Sequence, residues 1–257
     1  MAKSKTKKPT KAKVRGIFVT LEGGEGSGKS SQIRRLGEKL AELGHKVVVS
    51  REPGGSPGAE AVRHVLLSGA AEPLGAEMEA ILFAAARSDH VDQVIEPALE
   101  QGKIVISDRF FDSTRAYQGA AGKVDMGFVG RLERIACGRT WPDLTLILDL
   151  PPQEGMKRAD KRRNAEERPD RYEKESIRQQ ELRRKAYLEI ARNEPERCRV
   201  IDASGSEEKV FALVWAAVEP LLGDTGKTRG SVVSYPVAKS ANARNTRVNR
   251  QQSKAGK

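Results

Sequence analysis
Cysteine is scarce. The 257-residue sequence holds two, Cys137 and Cys198, with neither C-x-x-C nor zinc-site spacing. That excludes a disulfide framework and predicts two reduced thiols, in the core or near the surface of a cytoplasmic protein. Aromatics make up only 5% of the chain, so any core must rest on aliphatic residues. No stretch approaches the ~20 apolar residues of a membrane-spanning helix, and no apolar signal-like segment follows the basic N-terminus. No internal repeat is visible.

Acid is missing from the two ends. Residues 1–15 carry seven Lys/Arg and no acid; residues 224–257 carry eight and one acid, Asp224. The net charge of +11 therefore belongs to the ends, and residues 16–223 are left with −3. Both ends lack apolar periodicity, which predicts disordered basic tails at 1–15 and 224–257 around one folded domain, 16–223. Solvated tails are the favoured reading. Salt-sensitive contact with nucleic acid is the other, and no base-reading motif accompanies the charge.

What is present is organised around Gly23-Gly24-Glu25-Gly26-Ser27-Gly28-Lys29-Ser30, a match to G-x-x-x-x-G-K-[S/T]. A β-branched run, Ile17 to Leu21, precedes it. Ile33, Leu36, Leu40 and Leu43 follow at helical spacing. Strand, glycine loop and helix together make a phosphate site. Glycines admit the backbone conformations and the close approach, and successive N–H groups face the anion. Lys29 would reach the β- and γ-phosphates and the Ser30 hydroxyl would meet Mg²⁺.

The rest of 16–223 alternates strand and helix, the pattern of a parallel sheet covered on both faces. Strands are predicted at 46–50, 103–107, 144–150 and 199–202. Helices are predicted near 59–67, 77–101, 125–137, from 153, up to 193, and 207–222. In 77–101 Met78, Ile81, Leu82, Ala85, Val91, Val94 and Leu99 are candidates for burial, and Pro97 for a kink. Arg51 ends the second strand in Arg-Glu-Pro-Gly-Gly, as a surface ion-pair residue or an anion clamp. Phe83 and Arg87 share one helix face; pattern alone reads them as core and solvated. Asp108 and Arg109 end the third strand, where an acid can place Mg²⁺ and an arginine can hold phosphate. The charged stretch 158–173 reads equally as a solvated helix–loop–helix or as a mobile lid.

Taken together, Glu-Gly-Gly-Glu-Gly-Ser-Gly-Lys-Ser at 22–30, Arg-Glu-Pro-Gly-Gly at 51–55, Leu-Phe-Ala-Ala-Ala-Arg at 82–87, Asp-Arg-Phe at 108–110 with Ser113 and Ala-Tyr-Gln at 116–118, Pro-Asp-Leu-Thr at 142–145 and Asp-Arg-Tyr-Glu at 170–173 resemble the thymidylate kinase family. The resemblance spans about 16–222. It implies an α/β P-loop kinase fold with a five-stranded parallel sheet flanked by helices, a helical lid, and a homodimer. It also implies transfer of the γ-phosphoryl of ATP to dTMP, with Mg²⁺, giving ADP and dTDP for dTTP synthesis. Phe83 would then stack on thymine and Arg87 would bond its acceptors. Arg51 and Arg109 would hold the monophosphate. Glu25, Tyr117 and Tyr172 would border the nucleotide, and Thr114 and Gln118 would read the base edge. Asp108 would help Ser30 place the metal.

The glycine loop carries no arginine, so the one that stabilises the transferring phosphoryl would come from the lid, with Arg158, Arg162, Arg163 and Arg171 as candidates. Other P-loop nucleotide or deoxynucleoside kinases are the nearest alternative. A nucleic-acid-binding P-loop NTPase is a more distant one.

Overall fold
A computed structural model describes residues 15–162, 176–223 and 231–234. Six strands, β1 (Phe18–Gly23), β2 (Lys46–Arg51), β3 (Ile104–Asp108), β4 (Leu144–Asp149), β5 (Cys198–Asp202) and β6 (Ser231–Ser234), form one sheet in the order β5-β4-β1-β3-β2-β6. Every pairing in it is parallel. The helices are α1 (Lys29–Glu42), α2 (Pro57–Ser68), α3 (Gly75–His90), α4 (Glu96–Glu100), α5 (Phe111–Thr114), α6 (Met126–Cys137), α7 (Pro152–Arg162), α8 (Ile177–Asn193) and α9 (Glu207–Val218).

Burial of β-branched and aliphatic side chains on both faces of the sheet holds these layers together. Val19, Leu21, Leu144 and Leu146 pack with Ile33, Leu36 and Leu40 of α1 and Val210 and Val214 of α9. On the other face Phe18, Val48 and Val105 pack with Val91, Val94, Ile95, Phe110 and Phe111. Each such side chain contributes roughly 1.5–3 kcal/mol when fully removed from water. Both cysteines are free thiols inside this packing, and burial pushes the Cys137 and Cys198 thiols up to about 12 and about 11.

Along the chain, β2 and β3 lie on one side of β1, and β4 and β5 on the other. The crevice outside the carboxyl ends of such strands is where open α/β sheets bind ligands. Gly23, Arg51, Asp108 and Asp149 are the last residues of their strands there.

Three expectations need correction. The sheet has six strands and not five. β6 lies in the segment read as a disordered tail, because Val232 and Val233 take up the free edge of β2 opposite Val47 and Val48. Residues 77–101 are helical as expected, through Glu100, but not uniformly α. α3 passes through a π-helical turn, Val91–Ile95, into α4, where Pro97 sits in the first turn and needs no amide partner. Within α3 the apolar residues Met78, Ile81 and Ala85 face outward, while Glu79, Ala80, Ala84, Arg87 and His90 are buried. Val65 of α2 and Ile135 of α6, on helices that pack against α3, are exposed as well.

Candidate active site
The glycine loop joins the end of β1 to the start of α1. Gly23, Gly26 and Gly28 adopt φ of 140°, 66° and 91°, a region that side chains with a Cβ avoid. Space is also short at two of them. A Cβ on Gly23 would lie 2.6 Å from the Leu148 carbonyl oxygen, and one on Gly26 2.0 Å from that of Gly155. The loop is thus pressed between β4 and the first turns of α7.

Lys29 Nζ donates to the carbonyls of Gly23 and Gly24 at 3.1 and 3.0 Å. Burial, then the nearby Arg109 cation, lowers its ammonium pKa from the ordinary value. Ser30 Oγ lies 3.5 Å from Asp108 Oδ2. The other carboxylate oxygen, Oδ1, is buried with no hydrogen-bond partner among the described residues. A hydroxyl and an unsatisfied carboxylate oxygen side by side suit a hard divalent cation. Among the described residues no group of three or more His, Cys, Asp or Glu could hold a metal. An ion here would draw its other ligands from phosphate and water, as Mg²⁺ does.

Arg109 follows β3 with φ of 70°, a strained setting for a non-glycine residue that costs about 1–3 kcal/mol. Its neighbours hold it there. Its amide donates to Leu21 O at 2.9 Å, and its carbonyl accepts from Ser107 Oγ at 2.8 Å. The guanidinium pairs with Glu25 at 2.7 Å and donates to Ser113 and Tyr187 hydroxyls at 3.3 Å. Burial works against its charge, but the surrounding phenols and carboxylates outweigh it, and its pKa stands well above the ordinary value.

Glu22, which sequence reasoning missed, anchors this corner. Its carboxyl accepts from Phe110 N at 2.7 Å, Ser113 Oγ at 2.6 Å and Tyr187 Oη at 3.1 Å. Burial, then Asp112, raises its pKa to about 7.

The opposite wall comes from α2, α3 and the π-helical turn Arg115–Ala121 after α5. Arg51 pairs with Glu60 at 3.1 Å, so both alternatives for it stand in the geometry: an ion pair, at the cavity edge. Arg87 is buried rather than solvated. Its Nε donates to Glu52 at 2.8 Å and its Nη2 to Thr114 Oγ1 at 3.2 Å. Gln118 Nε2 donates to Glu79 at 3.3 Å. The Tyr117 ring has the Arg183 guanidinium 3.9 Å and that of Arg109 5.1 Å from its centroid.

One cavity of ≈ 180 Å³ gathers these groups. Glu25, Gly26, Ser27, Gly28, Lys29 and Ser30 line it, with Arg51, Phe83, Arg87, Asp108, Arg109, Thr114, Tyr117 and Gln118. Gly23 and Gly24 lie behind the loop, toward β4 and α8. Lys29, Arg51, Arg63, Arg87 and Arg109 face Glu25, Glu52 and Asp108 across it, so the cavity is net cationic and fitted to anions. Arg63, a second residue sequence reasoning missed, donates to Pro53 O at 2.7 Å. Its signal was only a cation inside a predicted helix.

Arg163, Arg171 and Tyr172 lie outside the described residues, and Arg162 ends α7 with its side chain undescribed. Arg158 is anchored away from the cavity, donating to Ala203 and Ser204 carbonyls at 2.9 and 3.0 Å.

Comparison with known proteins bears on the family. The family model described as thymidylate kinase matches residues 21–214, leaving β6 and both basic ends outside. Thymidylate kinases of Bradyrhizobium sp. strains ORS 278 and BTAi1 are each 54% identical over 208 residues, 81% of this chain and 92% of theirs. The crystal structure of thymidylate kinase from Ehrlichia chaffeensis superposes with a TM-score of 0.63 at 33% identity, covering 80% of this chain and 99% of that one. A glycine loop facing a cationic, aromatic-walled cavity and a match along most of the chain lead to one conclusion: the chain belongs to the thymidylate kinase family.

Proposed function
We propose that this chain transfers the γ-phosphoryl of ATP to dTMP, giving ADP and dTDP. One observation carries the reading. The phosphate loop with Lys29, the Phe83–Arg87 wall and Arg109 line the same cavity. Lys29 and the loop amides would hold the donor's phosphates. Arg109 and Arg51 would hold the acceptor's phosphate, with Glu25 fixing Arg109 and meeting the sugar. Phe83 would stack on thymine, Arg87 would donate to its acceptors, Thr114 and Gln118 would read its edge, and Tyr117 would pack against deoxyribose. Ser30 and Asp108 would hold Mg²⁺, which when bound neutralises charge on the phosphate oxygens.

The acceptor oxygen belongs to an ionised phosphate and needs no strong general base. The chemistry then reduces to positioning two polyanions and spreading cations around the transferring group. The arginine-free loop motivates a lid at about 158–173 that adds one of Arg162, Arg163 or Arg171 and excludes water. Tyr172 would close over the nucleotide with it. The kinase domain would be 16–223, and the basic ends would lie outside the chemistry.

We further propose a homodimer through the outward face of α2, α3 and α6. An apolar group such as Val65, Met78, Ile81 and Ile135 on neighbouring helices is the kind of surface that association covers. A cytoplasmic location is supported by the two reduced, buried thiols. No helix among the described residues is long and apolar enough to cross a membrane.

A panel of acceptors with ATP tests the activity: dTMP, dUMP, dCMP, the purine deoxymonophosphates and thymidine. We expect dTMP to lead the other bases by about two orders of magnitude in kcat/KM. Thymidine as the best acceptor would contradict Arg51 and Arg109 as phosphate holders.

A further inference from the structure
We propose that Glu52 and His90 are positioning residues for the base end of the site, holding Arg87 in the orientation in which it meets the pyrimidine. This rests on the reading of Arg87 given above. Arg87 is 2% exposed, and its guanidinium forks in fixed directions. One edge is already engaged, Nε to Glu52 Oε2 at 2.8 Å and Nη2 to Thr114 Oγ1 at 3.2 Å. What it offers the cavity is set by where Glu52 stands.

Glu52 in turn is held from behind. Its second oxygen, Oε1, meets His90 Nδ1 at 3.1 Å, and His90 Nε2 meets Ser50 Oγ at 2.6 Å. A carboxylate only accepts, so Nδ1 carries a proton, and Nε2 shares its hydrogen bond with the serine hydroxyl. The chain runs Ser50 to His90 to Glu52, where it meets Arg87, with every link inside the protein: Ser50, Glu52, Arg87 and His90 are all buried. His90 lies three residues beyond Arg87 in α3, on the same helix face. Ser50 is the last residue but one of β2 and Glu52 directly follows the strand, so strand and helix are locked at this point. Gly55 leaves room for the lock, since a Cβ there would stand 2.4 Å from Ser50 Oγ and 2.5 Å from His90 Nε2. Without His90, Glu52 Oε1 would be buried and unsatisfied. The carboxylate would turn, and the fork of Arg87 with it.

The test compares binding of dTMP with that of 2-deoxyribose 5-phosphate, which lacks the base, by titration calorimetry. In Glu52→Gln and His90→Phe the preference for dTMP should shrink about tenfold. His90→Asn, which keeps a donor toward Glu52, should recover most of it. A general loosening of the fold would weaken both ligands together and leave the preference unchanged; that result, in folded variants, overturns the proposal. Arg87→Ala separates the two layers. If it abolishes the preference while Glu52→Gln and His90→Phe do not, the positioning role alone fails. If Arg87→Ala itself leaves the preference intact, the assignment of Arg87 fails and this one falls with it. Should the first two variants not fold, Ser50→Ala removes only the far hydroxyl. A roughly threefold smaller preference supports the chain, and none overturns it.

Discussion

One methyl group would disturb the glycine loop. Gly26 combines φ of 66° with a contact in which a Cβ would come within 2.0 Å of the Gly155 carbonyl oxygen, and a Cβ on Gly155 would come within 2.3 Å of that of Glu25. Backbone meets backbone there, so neither side has a rotamer to yield. We expect Gly26→Ala and Gly155→Ala each to cost about 1–3 kcal/mol, read as lower midpoints in urea denaturation, with phosphoryl transfer lost more steeply than stability. Glu22 gives a second residue-scale expectation. The unfolded chain releases its proton near 4.5, whereas the folded chain keeps it until about 7 because the carboxyl is fully buried. Between those values the folded state binds more protons, so this group lowers stability as pH rises. Above about 7 both states are ionised and the penalty is constant. Denaturation across this window should show the decline, and Glu22→Gln should flatten it. Individual partners of this kind were the least legible part of the site. Glu22 and Phe110 are 88 positions apart, and no local spacing announces a carboxylate whose task is to hold a distant amide or hydroxyl. Lys29, Asp108 and Arg109 were legible because a strand end or a glycine loop marks where they must stand.

At the scale of elements, α5, the π-helical turn after it, α6 and the turn between α8 and β5 are joined by an ion network centred on Asp112. Its carboxylate, wholly buried, takes both terminal nitrogens of Arg197 at 2.7 Å and Arg115 at 3.4 Å. Arg115 also pairs with Glu133 at 2.8 Å and with Glu194. Asp112→Ala would leave Arg115 and Arg197 with Glu133 and Glu194 as their remaining partners, and we expect a loss of about 1.5–3 kcal/mol in equilibrium denaturation. β6 is a weaker attachment, four residues long with Val232 and Val233 both exposed. Ending the chain at residue 223 should lower the melting temperature by only a few degrees, raise hydrogen exchange along β2, and leave kcat unchanged. The five longer strands were readable from β-branched runs. Ser-Val-Val-Ser was not, since it lies in a basic, apolar-poor end and the edge that receives it is nonlocal. The orientation of α3 misled for a related reason. Periodicity finds an apolar stripe, but not whether this chain or another covers it.

For the whole molecule, the outward stripe leads to an expectation about mass. Ile135, 76% exposed on α6, should lie within the proposed two-fold contact, and Ile135→Arg should convert a dimer to a monomer in light scattering. A wild-type monomer would remove the proposal. The global design was legible at this scale, because alternating strand and helix with a glycine loop after the first strand admits few topologies. The charge partition is equally simple to read, with +7 at each end around a core of −3.

Because β6 runs parallel to β2, Ser234 stands beside Val49, near the rim where Arg51 borders the cavity. Gly16, just before β1, is tied at the far rim to Leu99. A dye or an immobilising linker attached at Ser234 would therefore stand on the cavity's side of the sheet. The same attachment at Arg15, next to Gly16, would stand on the opposite rim, which makes that position the sound place to tether this molecule to a surface.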